Sequence, residues 1–242
     1  METKGVKAII FDLDNTLIDT SGAGVVALQK VGELLKSSLS LDDASIETIC
    51  NRFKQKLYNE VFNPAMGKNI DQVRSLHWEE SIQETVGSCP NESLGSDCYK
   101  LWKSTRLQLL TMSPEVQALL KDLRTKYKLL LLTNGETQTQ REKVEVSNCE
   151  EFFDEVVVGG EQVEQKPSVS IFRLCLEMLG VEAHDCIIVG DSLDTDIQGG
   201  LKAHLKATVW IKRAEANESN VIKPHYTVAN VLELPQVLAH LN

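Results

Sequence analysis

Two aspartates one residue apart, Asp12 and Asp14, are the side chains of this sequence that point most directly to chemistry. They follow the apolar run 8–11, whose composition is typical of a buried strand that ends at a loop. Ligands of a parallel sheet bind at the carboxyl ends of its strands, so both side chains are expected at a binding edge. Because two carboxylates this close repel each other, a cation is expected between them. The pair therefore predicts the centre of a metal-dependent phosphoryl-transfer site.

Further polar side chains stand where later elements end or begin. Thr133 and Asn134 end the apolar run 128–132, and their hydroxyl and amide groups could donate hydrogen bonds to phosphate oxygens. Lys166 stands at the start of a predicted helix, where its ammonium suits a phosphate as a point charge. Because parallel strands end side by side, we expect these side chains to meet the two aspartates at one sheet edge.

A second group of carboxylates, Asp191, Asp194 and Asp196, follows the predicted strand 186–189. Together with the first pair, these acids need a divalent cation for charge balance. Oxygen ligands, few of them from the protein, favour Mg²⁺, which keeps several waters and takes substrate phosphate as a further ligand. Mg²⁺ is therefore the expected cofactor.

These positions predict a transfer in two steps. Asp12 attacks phosphorus and becomes an aspartyl-phosphate. Asp14 protonates the leaving alkoxide and then deprotonates the water that hydrolyses the intermediate. Lys166 and the metal carry the charge of the transferring phosphoryl group.

Each element also has a plainer interpretation. Acids often follow strands only to face solvent, 133–135 is compatible with an ordinary turn, and Asp194 is expected to cap a helix. An EF-hand is excluded, because Leu17 and Ala23 stand where its glycine and its glutamate are required. The occurrence of all four elements in order favours the catalytic interpretation.

Two kinds of structure must position these residues. From Ser21 to about Thr111, apolar residues recur at helical spacing and predict four amphipathic helices. Helices and strands alternate from there on, which predicts an α/β fold, a Rossmann-like parallel sheet with helices on both faces. A crossover needs only a dozen or so residues, so the helical block is interpreted as an insertion. We expect a core of 1–19 with 112–242 and a helical-bundle cap, 20–111, over the end of the first strand.

Bulk properties exclude some classes of function. The formal charge of −10 over 242 residues argues against a nucleic-acid partner. The first residues contain no long apolar run, so we expect neither a signal peptide nor membrane association. A cytoplasmic monomer is expected. The six cysteines form no CxxC pair and are expected to be free thiols: Cys50, Cys89, Cys98, Cys149, Cys175 and Cys186.

The motifs resemble those of the haloacid dehalogenase superfamily phosphatases. The matching segments are 11–16, 133–134, 166–167 and 190–192 with Asp196. The resemblance implies that Asp12 is the nucleophile, that Asp14 is the acid and base, and that Mg²⁺ is bound by Asp12, Asp191 and the main chain of Asp14. Dehalogenase members lack an acid at the position of Asp14, which favours the phosphatases.

The same resemblance implies a phosphate-binding set. It comprises the main-chain amides of Leu13 and Asn15, in segment 11–16, and three side chains from segments 133–134 and 166–167. These side chains are Thr133, Asn134 and Lys166.

Longer strings resemble the branch of this superfamily that acts on phosphorylated sugar acids of the sialic-acid pathway. They imply that N-acylneuraminate 9-phosphate is hydrolysed to free sialic acid and phosphate. One departure is His204, where that branch usually has a small residue. The matching strings are 77–85, 101–108, 129–143, 156–162 and 224–235.

The sequence leaves the contacts of the sugar open. Four residues could pair with the carboxylate of the sugar, although for each of them a solvated surface position is the favoured interpretation. His77 and Trp78 are expected to pack between helices. A broad-specificity sugar-phosphate phosphatase, a phosphosugar mutase of the same fold and a non-catalytic phosphate-binding module remain alternatives. The four residues are Lys103, Arg106, Gln138 and Arg141.

Overall fold

A computed structural model describes residues 5–63, 65, 67–88, 93–213 and 221–241, so Cys89 lies outside the described residues. By its internal contacts the chain divides into two compact units. One consists of Met1–Asp19 with Thr111–Asn242, and the other of Thr20–Leu110. The placement of the second unit as a cap stays a prediction.

The first unit contains a six-stranded, fully parallel sheet with the strand order β3-β2-β1-β4-β5-β6. The predicted α/β class, a parallel sheet flanked by helices, is confirmed. The strands are β1 (Ala8–Phe11), β2 (Lys128–Thr133), β3 (Glu155–Val158), β4 (Cys186–Gly190), β5 (Ala207–Ile211) and β6 (Tyr226–Val228).

Nine α-helices occur among the described residues, four in the second unit and five in the first. They are α1 (Thr20–Leu39), α2 (Asp43–Tyr58), α3 (Ile70–Val86), α4 (Leu94–Leu109), α5 (Pro114–Arg124), α6 (Thr137–Val146), α7 (Val169–Leu179), α8 (Gln198–Lys202) and α9 (Leu234–Leu241).

The central strand β1 lies between β2 and β4, and all four of its residues are buried. A continuous apolar run is typical of a strand covered on both faces. Ile10 belongs to a cluster with α7 residues such as Phe172, whereas Phe11 contacts the ring of Phe153 at 6.0 Å between centroids. Consecutive residues of β1 therefore anchor opposite faces of the sheet and hold its carboxyl end in place.

Helix boundaries follow the local signals with a few differences. Ser113 caps α5, accepting a hydrogen bond from the Val116 amide, as the sequence predicts. The predicted helix 194–203 is interrupted, because Leu193–Ile197 forms a π-helical turn before α8. Helix α9 was not predicted, although its buried residues recur at helical spacing.

The second unit has an aromatic interior. The ring of Phe53 stacks on Trp78 at 3.9 Å between centroids and meets Trp102 edge-on at 5.2 Å. Trp78 is fully buried, so its expected packing role is confirmed. His77 lies 3.3 Å from a Glu60 carboxylate oxygen. No described helix is both long and apolar enough to cross a bilayer.

Candidate active site

The loop after β1 turns tightly and brings its carboxylates to the sheet edge. The Asp12 amide donates to the Val189 carbonyl at 3.0 Å, so this residue still follows β4. Asn15 has a φ of 58°, a left-handed conformation that asparagine tolerates better than most residues. Its amide donates to the Ile18 carbonyl at 2.7 Å. The predicted contact of the Asn15 amide with phosphate would therefore have to share or replace a bond within the loop.

The predicted nucleophile is held by a buried lysine. Lys166 Nζ lies 2.7 Å from Asp12 Oδ1 and 2.7 Å from Asp196 Oδ1, and it donates to the Leu132 carbonyl at 2.8 Å. The second Asp12 oxygen accepts a bond of 3.1 Å from the Thr16 hydroxyl. One Asp12 oxygen is thus oriented by a lysine distant in sequence and the other by a hydroxyl of the same loop.

The end of β2 supports this lysine. The Asn134 side chain donates to the Lys166 carbonyl at 2.8 Å and accepts from the Lys166 amide at 3.0 Å. Through these two hydrogen bonds the Asn134 side chain fixes the Lys166 backbone. The predicted contact of Asn134 with phosphate stays a prediction. The Thr133 hydroxyl is buried and has no hydrogen-bond partner among the described residues. A buried hydroxyl without a partner is costly, which fits a group that meets a ligand oxygen.

Three carboxylates converge at the same edge. Oxygens of Asp12, Asp191 and Asp196 all lie within 4.8 Å of one another. Gly190 makes this possible, because a Cβ at that position would overlap the Asp196 carboxylate. The Asp191 carbonyl accepts a bond of 2.8 Å from the Trp210 indole, which fixes the loop after β4. Asp14 contributes no side-chain oxygen to this cluster; its predicted contribution to the metal is a main-chain one.

The cluster carries more negative than positive charge. Burial raises the pKa of Asp12 to about 7, against the opposing influence of Lys166 and with the help of Asp196. Burial likewise raises the pKa of Asp191 to about 6, and Asp196 adds to the effect. Burial alone would lower the pKa of Lys166, but the Asp12 and Asp196 carboxylates outweigh it and raise that pKa. One ammonium does not balance three carboxylates, so the donor set fits a hard divalent cation.

Asp14 is bound by two residues of α6 that were not predicted to belong to the site. Lys143 Nζ lies 2.9 Å from Asp14 Oδ1 and 2.7 Å from Oδ2, and Gln140 Nε2 lies 3.2 Å from Oδ2. Both partners belong to α6, at i and i+3 on one helical face. The i, i+3 spacing is the only sequence pattern that these two residues share. In a polar helix, two solvent-exposed residues show the same spacing, so the pattern does not identify a site.

The segment after β4 is capped differently from the expectation. The Ser192 side chain accepts from the Thr195 amide at 3.3 Å, and its own amide donates to Asp196 Oδ2 at 3.1 Å. Asp194 is exposed and is not the capping residue, so that expectation was wrong. A serine hydroxyl performs this role as well as a carboxylate does. Asp196 is thereby left to face Lys166.

Each of the four candidate partners of a sugar carboxylate has a neighbour within its own unit. Lys103 pairs with Asp71 at 2.8 Å, and Arg106 lies over the Trp102 ring at 4.3 Å. These contacts favour the surface interpretation. The other two contacts are Gln138 with Glu142 at 3.0 Å and Arg141 with Glu161 at 2.6 Å.

Comparison with known proteins assigns the family. The family model of the haloacid dehalogenase-like hydrolases matches residues 9–210. N-acylneuraminate-9-phosphatase from Rattus norvegicus is 50% identical over 238 residues, which cover 98% of this chain and 95% of the rat protein. The Homo sapiens protein of the same name is 50% identical over 243 residues, with the same two coverages.

A solved structure supports the same assignment at the level of the fold. The HAD-hydrolase YfnB from Bacillus subtilis, bound to magnesium, superposes with a TM-score of 0.70 at 23% identity, covering 97% of this chain and 99% of that one. The predicted superfamily and enzyme class, a phosphatase, are confirmed by the family match and the curated relatives. The sheet, the four motifs and the matched residues together place this chain in the family of haloacid dehalogenase-like hydrolases.

Proposed function

We propose that this chain is a Mg²⁺-dependent phosphomonoesterase that hydrolyses N-acylneuraminate 9-phosphate to free sialic acid and phosphate through an aspartyl-phosphate. The observation that carries the chemistry is the buried Asp12 carboxylate, oriented on one oxygen by Lys166 and on the other by Thr16. A nucleophile needs this kind of fixed approach, because positioning supplies a large part of the acceleration.

Residues of the carboxylate cluster would hold the metal. Asp12 and Asp191 are the proposed side-chain ligands, with the main chain of Asp14, and Asp196 adds its charge within 4.8 Å of the first two. When bound, Mg²⁺ supplies positive charge that stabilises the phosphoryl oxygens and the carboxylates around it. Burial raises the pKa of Asp12 and of Asp191, with a further contribution from Asp196, so a cation bound among these carboxylates would favour their ionised forms.

The residues then divide the reaction between them. Asp12 forms the bond to phosphorus while Asp14 gives a proton to the leaving alkoxide. In the second step, Asp14 takes a proton from the water that cleaves the aspartyl-phosphate. Lys166 remains beside the phosphoryl group, and the proposed phosphate contacts are Thr133, Asn134 and the amides of Leu13 and Asn15. Phosphate monoesters hydrolyse so slowly, needing up to ~10²¹-fold acceleration, that these effects must act together.

The substrate is proposed from the relatives. Rat and human N-acylneuraminate-9-phosphatases match nearly the whole chain at 50% identity, including the second unit. A cytoplasmic, monomeric enzyme is part of the proposal, and the five described cysteines, all free thiols, are compatible with a reducing compartment.

The test is phosphate release from N-acetylneuraminate 9-phosphate compared with a panel of hexose phosphates and glyceraldehyde 3-phosphate. We expect its kcat/KM to exceed that of every other ester by more than about tenfold, which corresponds to ~1.4 kcal/mol of transition-state binding. If another ester had a kcat/KM within about tenfold of that for N-acetylneuraminate 9-phosphate, a broad-specificity phosphatase would be favoured. Transfer of phosphate between positions of a bisphosphorylated sugar would indicate a mutase, and the absence of any turnover a phosphate-binding module.

A further inference from the structure

Two buried side chains of α6 hold the Asp14 carboxylate. Lys143 contacts both of its oxygens, at 2.9 and 2.7 Å, and Gln140 contacts one of them at 3.2 Å. Lys143 is only 6% exposed and Gln140 only 4%. A lysine is rarely this buried unless it is paired, and contact with both oxygens fixes the plane of a carboxylate as well as its position.

Gln140 also connects this arrangement to the end of β2. Its side-chain amide donates to the Asn134 carbonyl as well as to Asp14. Gly135 leaves the room that this requires, because a Cβ there would lie 2.6 Å from the Gln140 amide nitrogen. The support of Asp14 is therefore built on the loop that follows Thr133 and whose Asn134 side chain holds the Lys166 backbone.

We propose that Lys143, with Gln140, is a positioning residue that holds the Asp14 carboxyl group where it exchanges a proton with the leaving oxygen. The inference rests on the proposed function, in which Asp14 carries that proton. In the first step, the bond from phosphorus to the leaving oxygen breaks, the bond to Asp12 forms, and the proton passes from Asp14 to the leaving oxygen. In the second step, a water oxygen bonds to phosphorus, the Asp12–phosphorus bond breaks, and a water proton passes to Asp14.

The effect on the rate of a residue that acts through Asp14 depends on the leaving group of the ester. An alkoxide is a poor leaving group and needs the proton, whereas p-nitrophenolate leaves as an anion without one. Loss of Lys143 should therefore slow the first step for an alkyl phosphate and spare it for p-nitrophenyl phosphate. General acid–base catalysis typically contributes ~10²–10⁴-fold, which sets the expected size of the effect. A merely structural role would slow both esters equally.

The experiment compares Lys143→Met, Lys143→Arg and Gln140→Met with the wild-type full chain and added Mg²⁺. Steady-state kcat and KM are measured for N-acetylneuraminate 9-phosphate, and the pre-steady-state burst of p-nitrophenolate reports the first step alone. For Lys143→Met we expect kcat on the alkyl ester to fall about 10²-fold or more with KM nearly constant, and the burst rate to fall less than about tenfold. Lys143→Arg should recover at least tenfold, and Gln140→Met should show a smaller loss of the same kind.

The control is Lys126→Met, which removes an exposed lysine of the same unit that pairs with Asp122. This variant should keep both rates. The positioning role would be overturned if kcat for the alkyl ester and the burst rate for the aryl ester fell by the same factor in both Lys143→Met and Gln140→Met. It would also be overturned if neither rate fell in either variant. Wild-type turnover with poor selectivity would overturn only the proposed substrate, because any alkyl phosphate then serves in the comparison. No wild-type turnover of any ester would overturn the proposed function itself, and this inference with it.

Discussion

Lys166 and Asp196 form an ion pair of 2.7 Å in which each side chain is only 1% exposed. The same ammonium lies 2.7 Å from Asp12, so one lysine links the proposed nucleophile to a carboxylate on a different loop. Breaking a buried pair by removing one partner is costly, because an uncompensated charge remains. Lys166 escapes this cost only while at least one of its two carboxylates is present.

Replacement of Asp196 should therefore impair the site more than the fold. In Asp196→Asn, Lys166 keeps Asp12 as a partner, but the cluster loses a charge that supports the proposed metal. We expect a ~10–100-fold loss of kcat, partly restored by raising the Mg²⁺ concentration. The control is Asp194→Asn, an exposed neighbour that should retain wild-type turnover. Equal activity of the two variants would refute a role for Asp196 at the site.

Replacement of Asp12 should abolish turnover. Asparagine keeps the size of the side chain but cannot form the aspartyl-phosphate, so we expect at least a ~10³-fold loss of kcat in a folded protein. Circular dichroism checks the fold, and borohydride reduction of the wild-type intermediate followed by peptide mapping locates the modified residue. Phosphorylation trapped at another position would remove Asp12 from its proposed role.

Removal of divalent cations should stop the reaction. Chelation withdraws the charge that the cluster of Asp12, Asp191 and Asp196 is suited to bind, and added Mg²⁺ should restore full turnover. Ca²⁺ should not restore it, because its longer and looser coordination does not hold the reacting groups in line. The measurement is phosphate release after dialysis against each ion. Full activity in chelator, or with Ca²⁺ alone, would contradict the proposed cofactor.

The second unit should show a pH-dependent contribution from Glu60. Burial alone would raise the pKa of Glu60, but the neighbouring His77 and the hydrogen bonds from Arg74 outweigh it and place that pKa below its usual value of 4.5. The stabilisation is therefore complete above about pH 4.5 and is lost as pH falls through the lower folded-state pKa. Glu60→Gln should reduce the free energy of unfolding by ~2–4 kcal/mol at pH 7, because it removes the carboxylate charge from a largely buried ion pair with Arg74.

Urea unfolding at pH 7 and at pH 3 measures this difference. The difference in the free energy of unfolding between wild type and Glu60→Gln should be smaller at the lower pH, since Glu60 is then increasingly neutral in both the folded and the unfolded state. Glu84→Gln, in which exposed surface ion pairs are removed, should show a much smaller gap at pH 7. A gap of constant size at both pH values would rule out the ionised form of Glu60 as its source.

His204 should be replaceable by glycine with a gain in stability. This exposed residue follows α8 with a φ of 55°, a left-handed conformation that suits glycine. Relief of the steric cost should add about 0.5–1 kcal/mol to the free energy of unfolding. Thermal or urea unfolding of His204→Gly against His204→Ala provides the test, because alanine does not relieve the backbone. An equal gain in both variants would assign the effect to the lost imidazole instead.

The class of fold and the chemistry at the strand ends follow from local patterns in the amino-acid sequence. Apolar runs such as 128–132 and helical periodicity between them are local patterns, and the polarity of residues at their ends is local as well. Strand ends must then meet, because parallel strands share one edge. For this reason the sequence alone predicts Asp12, Lys166 and Asp191 in one place.

Which of those polar groups contact each other depends on how the distant segments pack. The pairing of Lys166 with Asp196, the bracing of Lys166 by Asn134 and the hold of Lys143 on Asp14 all join residues far apart in sequence. No periodicity encodes such contacts, because a buried lysine in a polar helix has the same local pattern as a solvated one. Whether a charged side chain is paired or solvated depends on the packing around it, and that is a property of the folded molecule alone.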